Sequence, residues 1–130
     1  MSNQRTRPAP PRPSELLARK AVELCIDIKA RDVTALDLNG VTDMTDFFVI
    51  ASGTSDTHVR AVAQHIIDGM GSHGVGVLHV EGMAHGRWVL LDFVDLVVHV
   101  FHPAMREFYQ LERLWSDARV LALEPQGAAS

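Results

Sequence analysis

Between Arg87 and Phe101 the chain reads "RWVLLDFVDLVVHVF", with His102 directly after it. In this apolar stretch Trp88, Asp92, Asp95, His99 and His102 are the residues whose types would do chemistry or bind a partner. Magnesium-dependent nucleotide chemistry needs two or three carboxylates converging on the ion, commonly two on alternate residues of one strand. Asp92 and Asp95 are three apart, fall on different predicted strands, and form no D-x-D. The stretch "GTS" at Gly53 to Ser55 has the composition of a phosphate cradle at a helix N-terminus, but helix capping by Thr54 or Ser55 accounts for it better. A metal hydrolase would need His99 and His102 to converge with the aspartates, whereas these histidines fall on opposite sides of a strand. His58, His65, His73, His79 and His85 are scattered and read as surface residues. No metal-ligand set and no cofactor motif results, and a nucleotidyltransferase-like enzyme acting on a nucleotide stays as the alternative to a binding protein.

The elements that must position these residues follow from apolar spacing. Residues 1–13 contain Pro8, Pro10, Pro11 and Pro13 and no large apolar group after Met1, so they read as a disordered tail. From Ser14, read as an N-cap, the residues Leu17, Ala21, Leu24, Cys25 and Ile28 recur at helical spacing to about Arg31. "DVTALDL" is a short strand with Val33, Ala35 and Asp37 on one side and Thr34, Leu36 and Leu38 on the other. "TDFFVIASG" is an almost continuous apolar run, as expected of a strand buried on both faces. "TSDTHVRAVAQHIIDGMGSHG" is a helix with its stripe at Val59, Val62, Ala63, Ile66, Ile67 and Met70, ended by glycines.

Three further strands follow, in "VGVLHVEG", "RWVLLDF" and "DLVVHVF", and Pro103 opens a last helix, "PAMREFYQLERLW". Met105, Phe108, Leu111, Leu114 and Trp115 make an ordinary packing stripe on it, with Arg106 and Glu112 solvated. The order is α-β-β-α-β-β-β-α, an α/β fold of a single domain from 14 to 118 with a five-stranded mixed sheet and a tail at 119–130.

The last two sheet strands are close enough to form a hairpin. A two-residue turn at Phe93 and Val94 would set Asp92 opposite Asp95, Leu91 opposite Leu96 and Trp88 opposite His99. Val89, Leu91, Leu96, Val98 and Val100 then form a wholly aliphatic face, the core side. Trp88, Leu90, Asp92, Asp95, Val97, His99 and Phe101 form the other. A large aromatic among apolar groups with acids at the rim has the anatomy of a protein-protein hot spot.

Composition bounds the classes. With 130 residues, 47% hydrophobic and 22% charged, the chain is an ordinary globular one, with no apolar run of membrane-spanning length and no signal-peptide pattern. The lone Cys25 cannot make an internal disulfide, which suits a reducing cytoplasm. Arg5, Arg7 and Arg12 lie in the tail, which leaves the body from Ser14 onward at a net charge of −7. An acidic body disfavours direct DNA binding and favours a basic partner.

"ALDL", "TDFFVIASGTSDTHVRAVA", "EG", "RWVLLDFVDLVVHVF" and "REFYQLERLW" together resemble the ribosomal silencing factor family, also called the Iojap family. The likeness runs from about Ser14 to Ala118 and includes the long pattern W-x-x-x-D-x-x-D-x-x-x-H-x-F followed by Y-x-L-E-x-L-W. The resemblance implies a non-enzymatic cytoplasmic factor with a nucleotidyltransferase-like fold. It implies docking on the fourteenth protein of the large ribosomal subunit, so that the small subunit cannot join and translation is repressed. The partner-binding residues it points to are Glu81, Gly82, Trp88, Leu90, Asp92, Asp95, Val97 and His99. Independently of the resemblance, an exposed apolar face of this kind would allow free copies to self-associate as a homodimer, which the sequence does not decide. One departure is Val94, where the family usually has Gly.

Overall fold

The computed structural model describes residues 10, 12–105 and 118–123. Its elements are α1 (Pro13–Asp27), β1 (Arg31–Asp37), β2 (Phe47–Ser52), α2 (Asp56–Ser72), β3 (His79–Glu81), β4 (Trp88–Asp92), β5 (Leu96–Phe101) and β6 (Arg119–Val120). The strands form one six-stranded mixed sheet in the order β3-β4-β5-β2-β1-β6. Only β2 and β5 pair in parallel among the pairs described; α2, β3 and β4 supply the long crossover that a parallel pair requires.

Helices α1 and α2 pack on one face of the sheet and on each other. That face holds the main core, with Val49, Ala51, Val62, Ile66, Val89, Leu91, Val98 and Val100 among its fully buried members. The apolar run in β2 is buried on both sides, as its composition predicts: Phe47, Val49 and Ala51 face the helices, and Ile50 faces the other way. Behind the sheet lies a second, smaller cluster of Leu36, Leu38, Ile50 and Phe101, with Phe48, Trp88 and Met105 packed against it.

Several expectations are corrected. Ser14 is not the cap of α1: Arg12 holds the N-cap position, Pro13 takes the first helical turn, and Ser14 is buried. Pro suits that place because its fixed φ fits the helix and its missing N–H would have no helical partner there. Arg12 is therefore no part of a loose tail. Its guanidinium bonds the Asp37 carboxylate at 2.9 Å and lies 5.0 Å from the Phe47 ring centroid.

The sheet has six strands where five were expected. Arg119 and Val120, read from sequence as tail, pair with Asp37 and Leu36. Asp37 draws Arg119 in as well, at 2.8 Å. The strand expected over "VGVLHVEG" is confined to His79–Glu81. Residues 103–105 begin a helical turn, and the rest of the expected last helix, including Phe108, Leu111, Leu114, Trp115, Arg106 and Glu112, lies outside the described residues. Among the described residues no helix is long and apolar enough to cross a membrane.

Candidate functional site

The hairpin of β4 and β5 decides which residues share a face. Observed partners are Trp88 with Phe101, Val89 with Val100, Leu90 with His99, Leu91 with Val98 and Asp92 with Val97. The turn is one residue later than expected, at Val94 and Asp95, closed by a 2.8 Å bond from Phe93 N–H to the Leu96 carbonyl. Moving a turn by one residue moves every pairing by two, so the parity of both strands is preserved. Val89, Leu91, Leu96, Val98 and Val100 do face the helices, all fully buried.

The expected opposition of Asp92 and Asp95 is wrong. Asp92 stands opposite Val97 and accepts the Val94 N–H at 2.8 Å. Asp95 is exposed in the turn, where its carbonyl accepts the N–H groups of Asp46 and Phe47. Phe93, expected in the turn, is instead 5% exposed and part of the core.

On the outer face the structure brings seven of the eight candidate residues together. Glu81, Leu90, Asp92, Val97 and His99 line a pocket of about 350 Å³. Glu81, Gly82, Trp88 and Leu90 line a smaller neighbouring depression of about 210 Å³. Glu81 and Leu90 are shared by both, so the two hollows adjoin. Asp95 lines neither. Phe101, counted with the mixed face from sequence, is fully buried there and serves as a floor for Trp88, the ring centroids being 5.0 Å apart.

Trp88 is half-buried and held from the side. Its indole N–H donates to His99 Nδ1 at 3.1 Å. His99 is itself only 4% exposed and meets the Phe48 ring edge-on at 4.7 Å. Burial pushes its pKa down to about 4, so the ring is neutral near pH 7. A neutral ring that accepts at Nδ1 carries its proton on Nε2. That Nε2 and the Thr45 hydroxyl are buried without a hydrogen-bond partner among the described residues.

Gly82 takes part through its backbone. Its φ is +83°, and a Cβ there would lie 1.9 Å from the Trp88 carbonyl oxygen. Only glycine lets the chain pass that close to Trp88. Thr42, Met44, Thr45, Phe48 and His79 complete the larger pocket and were not expected from sequence. Phe48 was accessible by parity, as an outward residue of β2. Thr42, Met44 and Thr45 come from a loop, where no periodicity marks them.

The phosphate-cradle alternative does not gain from the geometry. Ser55 caps α2 by accepting the His58 N–H, and Thr54 N–H donates to His58 Nδ1 at 2.8 Å. His58 Nε2 in turn reaches the Ile28 carbonyl at 2.7 Å, tying α2 to the end of α1. His58 is thus half-buried and structural, not a surface residue. Cys25 is buried, and burial pushes its thiol up to about 12, which makes it inert. Among the described residues no three His, Cys, Asp or Glu side chains are grouped to hold a metal ion.

Comparison with known proteins gives the context for this face. The family model described as "Ribosomal silencing factor during starvation" matches residues 11–130. The chain belongs to the ribosomal silencing factor family. It is 43% identical over 104 residues to the Bacillus subtilis ribosomal silencing factor RsfS, covering 80% of this chain and 88% of that one. A solved structure of a Chromobacterium violaceum protein superposes with a TM-score of 0.79 at 32% identity, covering 92% of this chain and 95% of the other. The mouse protein named "Mitochondrial assembly of ribosomal large subunit protein 1" is 33% identical over 99 residues, covering 73% of this chain and 43% of its own length. The ribosomal silencing factor family thus accounts for nearly the whole chain, the hairpin with Trp88 included.

Proposed function

We propose that the outer face of the β4–β5 hairpin docks on the large ribosomal subunit, on its fourteenth protein, and keeps the small subunit from joining. The observation that carries this reading is Trp88: a half-buried indole lining the smaller of two adjoining hollows, backed by Phe101 and bonded to His99. A large aromatic held in one orientation loses little freedom on binding and anchors an interface well. Glu81 and Asp92 at the rim, on a folded body that from Arg12 onward has a net charge of −6, suit a basic ribosomal protein. The family description and the mouse relative's name, which mentions the large ribosomal subunit, support the same target. In this reading the protein acts by occupying a surface and not as an enzyme, and free copies pair through the same face.

Co-sedimentation with purified large subunits, run beside a thermal melt, tests it. Trp88→Ala should stay folded and lose about 2 to 4 kcal/mol of binding, the size expected for a central aromatic anchor. Val98→Ala, on the core face, should lose roughly 1 to 3 kcal/mol of folding stability and keep its docking. Undiminished co-sedimentation of folded Trp88→Ala would remove the proposed surface.

A further inference from the structure

Methionine stands apart among apolar side chains, because peroxide turns it into a polar one. The methionines among the described residues are exposed very unequally. Met44 is 82% exposed, more than any other large apolar side chain described. Met70 is fully buried in the main core, Met83 packs partly buried against that core, and Met105 packs against the smaller cluster behind the sheet. Met44 belongs to the loop between β1 and β2 and lines the larger hollow together with Leu90, Asp92 and Val97 of the proposed docking face. The loop is tied down by its backbone. Leu38 N–H bonds the Asp46 carbonyl at 2.8 Å and Asp46 N–H bonds the Asp95 carbonyl at 3.1 Å, while Met44 N–H donates to Thr42 Oγ1 at 3.2 Å. An ordered segment thus offers this thioether to solvent at the docking face, where its flexible, polarizable side chain suits contact with a partner.

We propose that Met44 is an oxidation site through which hydrogen peroxide weakens docking reversibly. A lone pair of the thioether sulfur attacks one peroxide oxygen, and the O–O bond breaks. The attacked oxygen stays on sulfur and passes its proton to the departing hydroxide, so the products are methionine sulfoxide and water. Sulfur loses two electrons and the peroxide gains them. The step needs no acid or base from the protein, and exposure therefore sets the relative rates of the described methionines. The sulfoxide oxygen is a hydrogen-bond acceptor, and covering it with apolar surface of a partner costs its desolvation. Thiol-dependent methionine sulfoxide reductases restore the thioether, with the oxygen leaving as water and two thiols joining as a disulfide. The oxidation site stands on exposure and on its place in the fold; its effect on docking rests on the function proposed above.

The full chain is treated with hydrogen peroxide for increasing times, quenched with catalase and mapped by peptide mass spectrometry. Met44 sulfoxide should accumulate on the order of tenfold faster than the sulfoxides of Met70, Met83 and Met105, as exposure dictates. Oxidation of Met83 or Met105 at the rate of Met44 would overturn the site. Protein oxidised at Met44 should keep its melting temperature and co-sediment with large subunits about fivefold more weakly, the loss expected when one polar group is covered without a partner. Reduction by the two methionine sulfoxide reductases should restore it. Met44→Leu, apolar but without sulfur, should co-sediment equally before and after peroxide. A loss in Met44→Leu as large as in the unaltered chain would overturn the role of Met44. Trp88→Ala runs beside them. If it loses docking and Met44 sulfoxide does not, the oxidation effect is overturned and the docking surface stands. If neither loses docking while the peptide map singles out Met44, the docking surface falls and the oxidation site remains.

Discussion

Trp88 and His99 sit diagonally across the β4–β5 hairpin, one pairing step apart, and are joined by an indole N–H to Nδ1 bond of 3.1 Å. Diagonal neighbours on one face of an antiparallel pair are within reach only of long or aromatic side chains. The bond works because His99 is buried and neutral, with Nδ1 free of its own proton. The orientation of the proposed anchor thus depends on the protonation of a residue beneath it.

Replacing His99 by Phe keeps a ring of similar width and removes this acceptor. The fold should persist, while binding to large subunits should weaken by about 1 kcal/mol, the usual size of one such hydrogen bond. Co-sedimentation of His99→Phe together with its melting temperature checks this. A variant that docks at full strength would mean that Trp88 is oriented without His99.

The same residue makes stability depend on pH. His99 has a folded pKa of about 4 against about 6.5 unfolded. The unfolded chain therefore binds more protons between these values, and stability falls as pH drops from about 6.5 towards 4. Urea unfolding should show a loss of about 2 kcal/mol from this site between pH 7 and pH 5. His99→Phe should lose that part of the slope; an unchanged slope would refute the assignment.

Asp37 contributes in a different window. Its burial opposes the charge, but the Asn39 backbone N–H and the Arg119 and Arg12 guanidinium groups outweigh that and hold its pKa below the ordinary aspartate range. The stabilisation is complete above the unfolded value of about 3.9 and is lost as pH falls through the lower folded value. Arg12→Ala or Arg119→Ala alone should cost about 1 kcal/mol, since the other cation and the Asn39 N–H remain. The double variant should cost more than the sum, roughly 3 kcal/mol, by leaving a buried carboxylate without a counter-charge. Additive losses in urea melts would show that the two arginines act independently. Truncation that leaves docking and stability intact must accordingly stop before Arg12.

Val94 sits in the hairpin turn at a φ of +78° and is 56% exposed. Asp95 N–H bonds back to the Phe93 carbonyl at 3.1 Å, the i to i+2 pattern of a tight γ-turn. A β-branched residue is strained at positive φ, and glycine is not. Val94→Gly should stabilise the domain by about 1 kcal/mol, the relief of strain exceeding the entropy that glycine loses. Val94→Ala should recover little of this. A lower melting temperature for Val94→Gly would show that the side chain contributes packing that outweighs the strain.

The alternation in "WVLLD" and "LVVHVF" determined, without any structure, which hairpin residues face the helices, because strand side chains alternate with a period of two and a one-residue shift of the turn changes pairing by two. The helical stripe from Val59 to Met70 and the doubly apolar β2 were legible for the same local reason. The position of the turn was not, since Val94 carries no sign of a positive φ. Nor was the sixth strand, because two residues hold no periodicity and Arg119 is drawn to β1 by Asp37, 82 positions away. The pocket depended on tertiary structure most of all: the 39–46 segment brings Thr45 to the same hollow as His99 only after β2 has paired with β5. Patterning along a chain reports which side of an element is apolar; which polar groups meet across elements is set by long-range pairing, and that has no local signature.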